Sequence, residues 1–259
     1  MKELLDSETY YDRAVSRNKS GNYRGAIADF TRALELDPND AKAYCGRAFS
    51  KGFSRDHKGA VEDYTKALEI DPNNIKAYSS RGDIRLYLKD YKGTTEDYTK
   101  VIEFDPNDGV AYFVRGTSKD FLQDYSGAVT DYTKSIDIDP NDTDAYSNRG
   151  RSKSALEDYS GAMEDFAKAI ELDPNNILAY SYRGALRFSL KEHNGPLFLS
   201  GTIEDLTKVI ELNPNGGLAY NHRGMAKYFL EDMSGACEDA QKAQELGADA
   251  SELIKRACS

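Results

Sequence analysis

DYTKALEIDPNNIKAYSSRG, residues Asp63 to Gly82, decides the fold, because the chain writes it again and again. It returns as DYTKVIEFDPNDGVAYFVRG from Asp97, DYTKSIDIDPNDTDAYSNRG from Asp131 and DFAKAIELDPNNILAYSYRG from Asp165. Looser copies start at Asp29 (DFTRALELDPNDAKAYCGRA) and Asp205 (DLTKVIELNPNGGLAYNHRG). Pro38, Pro72, Pro106, Pro140 and Pro174 stand 34 residues apart, and Pro214 follows after 40. A fixed period of this length marks a stack of small units, none able to bury its apolar side alone.

With the proline set at position 32, the repeats are 7–40, 41–74, 75–108, 109–142, 143–176, 177–216 and 217–250. Together with a cap at 251–259 they read as one array over residues 1–259. Each repeat holds two helical patterns. In the third, Tyr78, Arg81, Gly82, Arg85 and Leu88 share one face of the first helix at i, i+3, i+4 spacing. Tyr91, Thr94, Tyr98, Val101 and Ile102 share one face of the second. Asp90 is placed to cap that helix, as are Asn22, Asp56, Asp124, Asp158 and Asp232 in other repeats. Proline closes it by excluding the preceding residue from the α region, and the Asn or Asp beyond caps the next helix.

Gly82, Gly116, Gly150, Gly184 and Gly224 recur at position 8, opposite small residues at position 20 (Ala26, Ala60, Ala128, Ala162, Ala236) and position 27 (Ala33, Ala67, Ala169). A mid-helix glycine costs about 1 kcal/mol against alanine, so its recurrence predicts close backbone approach. Glycine at position 19 (Gly25, Gly59, Gly93, Gly127, Gly161, Gly201, Gly235) is expected to serve the same contact at the hairpin end.

The 34-residue helix–turn–helix, with an aromatic at 4, Gly at 8, Ala at 20, Tyr or Phe at 24, Ala at 27 and Pro at 32, resembles the tetratricopeptide repeat (TPR) over residues 7–250. The resemblance implies an all-α fold: a right-handed α-solenoid superhelix of seven units plus a C-terminal capping helix, with first helices lining the concave side. Three positions depart from the family. Tyr stands at 4 for Trp, Arg at 7 for Leu, and mostly a basic residue at 11 for Tyr. The variant resembles arrays common in bacterial TPR proteins.

Arg fills position 7 in every repeat (Arg13, Arg47, Arg81, Arg115, Arg149, Arg183, Arg223), and Asp fills position 23 (Asp29, Asp63, Asp97, Asp131, Asp165, Asp205, Asp239). Unpaired charges beside packed positions would be costly. A ladder of partly buried Arg–Asp pairs is therefore expected, within or between neighbouring repeats. The Glu62–Lys66, Glu96–Lys100, Glu164–Lys168, Glu204–Lys208 and Glu238–Lys242 spacings read as i, i+4 pairs on solvated outer faces.

Two irregularities break the period. KEHNGPLFLS (191–200) inserts six residues into the sixth repeat, with an apolar tip at Leu197 and Phe198. It reads either as a longer hairpin folded over its own repeat or as a contact with a partner or second copy. The seventh repeat weakens to Ala240, Gln244 and Ala248, and Leu253 and Ile254 suit a capping helix.

A formal charge of -10 disfavours nucleic acid and anionic membrane. No apolar run approaches the roughly 18 residues of a membrane span. Cys45, Cys237 and Cys258 lie far apart without a CxxC, a pattern of neither a disulfide framework nor a zinc site. That points to the cytoplasm, or to the periplasm or outside if a signal segment has been removed. His57, His193 and His222 sit in different repeats and build no metal cluster, and no P-loop, nucleophile elbow or dinucleotide motif occurs. No enzyme, cofactor or metal is expected.

Positions 2, 5, 9 and 12 of the first helices, flanked by 6 and 13, form the face that TPR relatives use for ligands. Here it carries Phe49, Phe53, Tyr87, Phe113, Phe121, Arg151, Tyr182, Phe188 and Tyr228, with Tyr11, Val15 and Met225 alongside. Exposed aromatics in such number mark an interaction surface; the alternative for some, notably those at position 13, is packing between neighbouring first helices. The two-carboxylate clamp by which some TPR domains hold acidic chaperone tails is absent: no Lys stands at position 5 and no Arg at position 6. The reading is a protein-binding scaffold that takes an extended peptide or helix. Self-association through the groove or the 191–200 segment is the alternative.

Overall fold

The computed structural model describes residues 6–258, apart from the side chains of residues 192–194. Expectations resting on residues 1–5, on Ser259 or on the His193 side chain lie outside the described residues. The described chain is all helix and turn and divides into two compact units, 1–124 and 125–259.

The first unit holds α1 (Ser7–Lys19), α2 (Tyr23–Leu36), α3 (Ala41–Phe53), α4 (His57–Ile70), α5 (Ile75–Tyr87), α6 (Tyr91–Phe104) and α7 (Gly109–Phe121). The second holds α8 (Tyr125–Ile138), α9 (Thr143–Ala155), α10 (Tyr159–Leu172), α11 (Ile177–Ser189), α12 (Lys191–Leu212), α13 (Gly217–Phe229), α14 (Met233–Glu245) and α15 (Ser251–Ala257). Within each unit every helix packs on the one before and the one after it, the arrangement of an α-solenoid.

Helix ends fall where the caps are written. Asn22, Asp56, Asp90, Asp158 and Asp232 each accept the backbone N–H of the glycine three residues on, at 2.9–3.0 Å. Asp40, Asn74, Asp108, Asp142 and Asn176 do the same for first helices. This corrects the expectation for position 19. A Cβ on Gly59, Gly93, Gly161 or Gly235 would stand 2.3 Å from its own capping carboxylate. The glycine therefore makes room for the cap rather than for a neighbouring helix. Position 8 does serve helix contact: a Cβ on Gly82 or Gly150 would meet the Tyr98 or Phe166 ring at 2.8 or 2.7 Å.

Repeats stack through alanines at position 3, which the sequence reading left out of the core. Ala43 packs with Ala33 and Leu34, Ala77 with Tyr64 and Leu68, and Ala111 with Val101 and Ile102. In the second unit Ala219 packs with Val209 and Ile210.

Six of the Arg–Asp pairs close within their own repeat, at 2.5–2.7 Å: Arg13–Asp29, Arg47–Asp63, Arg81–Asp97, Arg149–Asp165, Arg183–Asp205 and Arg223–Asp239. The basic residue at position 11 reaches the other oxygen of the same carboxylate. Arg17, Lys51, Arg85, Lys153, Arg187 and Lys227 lie at 2.7–2.9 Å. That cation also donates to the carbonyl of the position-19 glycine at 3.0–3.4 Å. Each arginine lies over the position-4 tyrosine of its own repeat, its guanidinium carbon 5.1–5.7 Å from the ring centre. Its remaining nitrogen donates backwards to a threonine of the preceding repeat, as Arg47 to Thr31, Arg81 to Thr65, Arg115 to Thr99, Arg149 to Thr133 and Arg223 to Thr207, at 2.9–3.3 Å. The three departures from the family pattern thus form one device.

The outer lysines behave differently from expectation. Lys66, Lys100, Lys168, Lys208 and Lys242 pair forwards at i+3, with Glu69, Glu103, Glu171, Glu211 and Glu245. The insertion is helical rather than a loop: α12 breaks only at Gly195, whose φ of 60° and ψ of -149° suit glycine. Pro196 then opens a second helical stretch.

The cysteine expectation is overturned. Cys237 in α14 and Cys258 after α15 form a disulfide, with Cα atoms 5.1 Å apart. Twenty-one residues separate them in sequence, but the turn at Gly247, with φ of 83°, folds α15 back on α14. The disulfide removes the argument for a reducing compartment. No helix among the described residues is long and apolar enough to cross a membrane.

Candidate binding grooves

In the first unit, α1, α3 and α5 turn the same face towards one cleft of about 650 Å³. Its apolar floor is Tyr11, Val15, Phe49 and Ala77, backed by Phe30 from α2 and Tyr64 from α4. Tyr11 and Phe30 meet edge to face, 5.6 Å between ring centres. The small residue at Gly46 admits the Phe30 ring; a Cβ there would stand 2.3 Å from it. Lys19, Lys42 and Lys76 line the cleft, with Asn18 and Asn74, and among the described residues no carboxylate does. Ser50 donates to Asn18 at 2.8 Å across neighbouring helices and fixes the amide. Cys45 also lines the cleft; burial, and then Asp71 and Asp40, push its thiol up to about 11, so it is a neutral, unreactive wall.

The second unit places its ligand-face residues in smaller hollows. Arg151 lies over Tyr182 at 5.6 Å, and Tyr182 packs on Phe166 at 6.1 Å. Phe188 and Phe229 stand 5.8 Å apart with the Lys191 ammonium 4.6 and 5.0 Å from their centres. Tyr228 and Phe229 join Asn221 and Met225 opposite α15 in a cleft of about 500 Å³. The capping helix is therefore part of a groove wall, through Leu253, Lys255 and Arg256.

Three of the expected anchors, all still exposed, also meet a ring of the preceding repeat. Phe53 stacks on Tyr23 (4.9 Å), Tyr87 on His57 (4.5 Å) and Phe121 on Tyr91 (4.5 Å). Each is a position-13 ring closing the hairpin edge against the second helix of the preceding repeat. Phe49 bridges the two regions, 4.6 Å from Phe53. Phe113 is half-buried in α7. Leu197 is 78% exposed, whereas Phe198 is half-buried and lines a separate cleft beside Tyr159. The lysines of the first-unit groove were the residues the sequence reading missed. Lys42 and Lys76 share position 2, so the period held the signal. Among the described residues no cluster of three or more His, Cys, Asp or Glu is placed to hold a metal.

Family models for the tetratricopeptide repeat match residues 7–40, 143–176, 41–74 and 110–142, just over half the chain. The chain belongs to the tetratricopeptide repeat family. No curated protein matches it. Among solved structures it is similar to YrrB, described as a TPR protein with an unusual peptide-binding site, with 26% identity and a TM-score of 0.64. That match covers 67% of this chain and 90% of YrrB. A tetratricopeptide repeat protein of Parabacteroides merdae matches at 19% identity and TM-score 0.69 over 98% of this chain and 99% of its own. MamA of Desulfovibrio magneticus matches at 22% and 0.60, over 66% of this chain and 96% of its own. The last two likenesses show the fold alone.

Proposed function

We propose that this chain is a protein-interaction scaffold whose first-unit groove holds an extended segment of a partner protein. The observation that carries this is the convergence of one face from three successive first helices on a cleft with an aromatic floor and three lysines. Apolar floor with few polar groups is the usual make-up of a ligand site, and the volume of about 650 Å³ suits two or three side chains. YrrB, a relative with a peptide-binding site, supports the same reading. The segment is apolar or aromatic at its centre, and the lysine rim favours acidic flanks. The TPR architecture supplies binding surface rather than reacting groups, so the role is adaptor rather than enzyme.

Selection of displayed peptides on the immobilised protein tests this. Enriched peptides should share an apolar centre and lose about tenfold or more in affinity for Phe49→Ala and for Lys42→Ala combined with Lys76→Ala. Peptides that bind those variants as well as they bind the parent would remove the groove from the assignment.

A further inference from the structure

The hairpin edge repeats one construction in the first unit. A position-17 ring at the start of each second helix (Tyr23, His57, Tyr91) is covered by a position-13 ring from the next repeat (Phe53, Tyr87, Phe121). In the second unit Tyr125 and Tyr159 hold position 17, and position 13 of the next repeat is Ala155 and Ser189 respectively; of the two, Tyr159 borders a cleft. The serine hydroxyl turns back on its own helix, donating to the Leu186 carbonyl at 2.8 Å. Among the described residues no ring stacks on Tyr159, which remains 37% exposed. The space the missing ring leaves is a cleft of about 860 Å³, walled by Tyr159, Met163, Leu190 and Phe198. Phe198 comes from the insertion: the break at Gly195 and Pro196 starts the second helical stretch early, and buried Leu199 holds it down beside the cleft. Among the described residues, the charged side chains lining it are Glu157 and Glu164, both carboxylates.

We infer that this cleft receives an aromatic side chain of a partner polypeptide, flanked there by Lys or Arg. The partner's ring takes on Tyr159 the place that Phe53, Tyr87 and Phe121 take on Tyr23, His57 and Tyr91. Offset or edge-on ring pairs contribute beyond the area they bury, and methionine beside the slot adapts to the ring that enters. The two carboxylates choose the flanks by charge. This site is separate from the lysine-lined groove and does not rest on it; the two would take segments of opposite charge.

The test is a titration of the isotope-labelled protein, followed by NMR, with the amide of N-acetyl-Lys-Trp-Lys, using the Lys-Ala-Lys and Glu-Trp-Glu counterparts as controls. The expected result is shifts at Tyr159, Met163 and Ser189, with affinity about tenfold above either control. Ser189→Phe gives the chain its own covering ring, an arrangement the first unit already folds with, and should abolish those shifts. Tyr159→Ala should weaken binding about tenfold, and Phe49→Ala should leave it unchanged. Equal binding by Ser189→Phe and the parent, or equal binding of the alanine or glutamate control, would overturn the inference. So would shifts confined to other surfaces.

Discussion

Replacing Asp165 by alanine is the sharpest perturbation of the charge device. The carboxylate is about 4% exposed and accepts from Arg149 at 2.9 and 2.6 Å and from Lys153 at 2.9 Å. Arg149 and Lys153 are themselves only 14% and 20% exposed. Removing the one anion leaves two cations facing each other in a site neither can fully leave, which costs about 3–5 kcal/mol for a buried pair broken on one side. Removing one cation leaves the carboxylate its other partner. Lys153→Met should therefore cost less, about 1.5–3 kcal/mol, the range for a hydrogen bond to a charged group. Changing all three together to Asp165→Ala, Arg149→Leu and Lys153→Met strands no charge, and the loss should fall below that of Asp165→Ala alone. Guanidinium denaturation followed by circular dichroism gives the ranking. Hydrogen exchange in α9 and α10 shows whether the damage is local, since long repeat arrays need not unfold in one step. A single variant that loses under about 1 kcal/mol, or a triple variant that loses as much as the single one, would refute the reasoning built on stranded charge.

Further outcomes follow from the packing, the disulfide and the buried tyrosine. Gly150→Ala sets a Cβ 2.7 Å from the Phe166 ring and 3.1 Å from the Ala162 carbonyl, so denaturation should show a loss of about 1–3 kcal/mol. Gly184→Ala sets its Cβ less tightly, 3.3 Å from the Asp205 Cβ and 3.5 Å from Leu206, so it should cost less than Gly150→Ala, the helix propensity gain of about 1 kcal/mol offsetting the contact. Thiol titration of the unfolded, unreduced protein should find only Cys45 reactive, and all three cysteines after reduction. Opening the Cys237–Cys258 ring should cost the α14–α15 end about 3 kcal/mol by chain entropy, read as a drop in its exchange protection. Burial, and then the Asp83 carboxylate that accepts its hydroxyl, holds the Tyr98 pKa well above the usual value of 10.0. The folded chain thus keeps a proton that the unfolded chain releases. This stability is complete below about pH 10 and declines above it, by up to about 1.4 kcal/mol per pH unit for one group. Tyr98→Phe should flatten the alkaline side of a stability–pH curve.

The period made the fold legible. Caps, proline stops and position-8 glycines recur often enough that each repeat checks the others, and the helices start and stop where those residues stand. Position 3 recurs as alanine in six repeats (Ala43, Ala77, Ala111, Ala145, Ala179, Ala219), but its contacts, with Leu34, Leu68 or Val101, lie in the preceding repeat, and small residues were matched only within a repeat. The disulfide was hidden for a similar reason. Twenty-one residues of sequence say nothing of distance until a glycine turn at Gly247 folds α15 against α14. The groove was half legible: its positions were readable, but not the position-17 rings that the position-13 rings meet across the repeat boundary.

The charge device explains why an array with such departures can still stack. A leucine at position 7 would make apolar contact alone. Arginine there engages a carboxylate, a tyrosine face and, across the repeat boundary, a threonine hydroxyl. Two cations per buried carboxylate leave neither acidic oxygen unpartnered, the condition under which burying such charges is tolerable. The threonine link ties each repeat to its predecessor at one register. Where the acceptor is replaced, as by Ala167 ahead of Arg183, the guanidinium instead shares Asp205 with Arg187 alone. That junction joins the fifth repeat to the sixth, and it is also where Ser189 leaves Tyr159 uncovered and the insertion departs from the period. The hydroxyl is lost here, the ring is lost here as it is at Ala155 opposite Tyr125, and the insertion follows inside the sixth repeat, so three departures from the template meet where the second candidate contact surface stands.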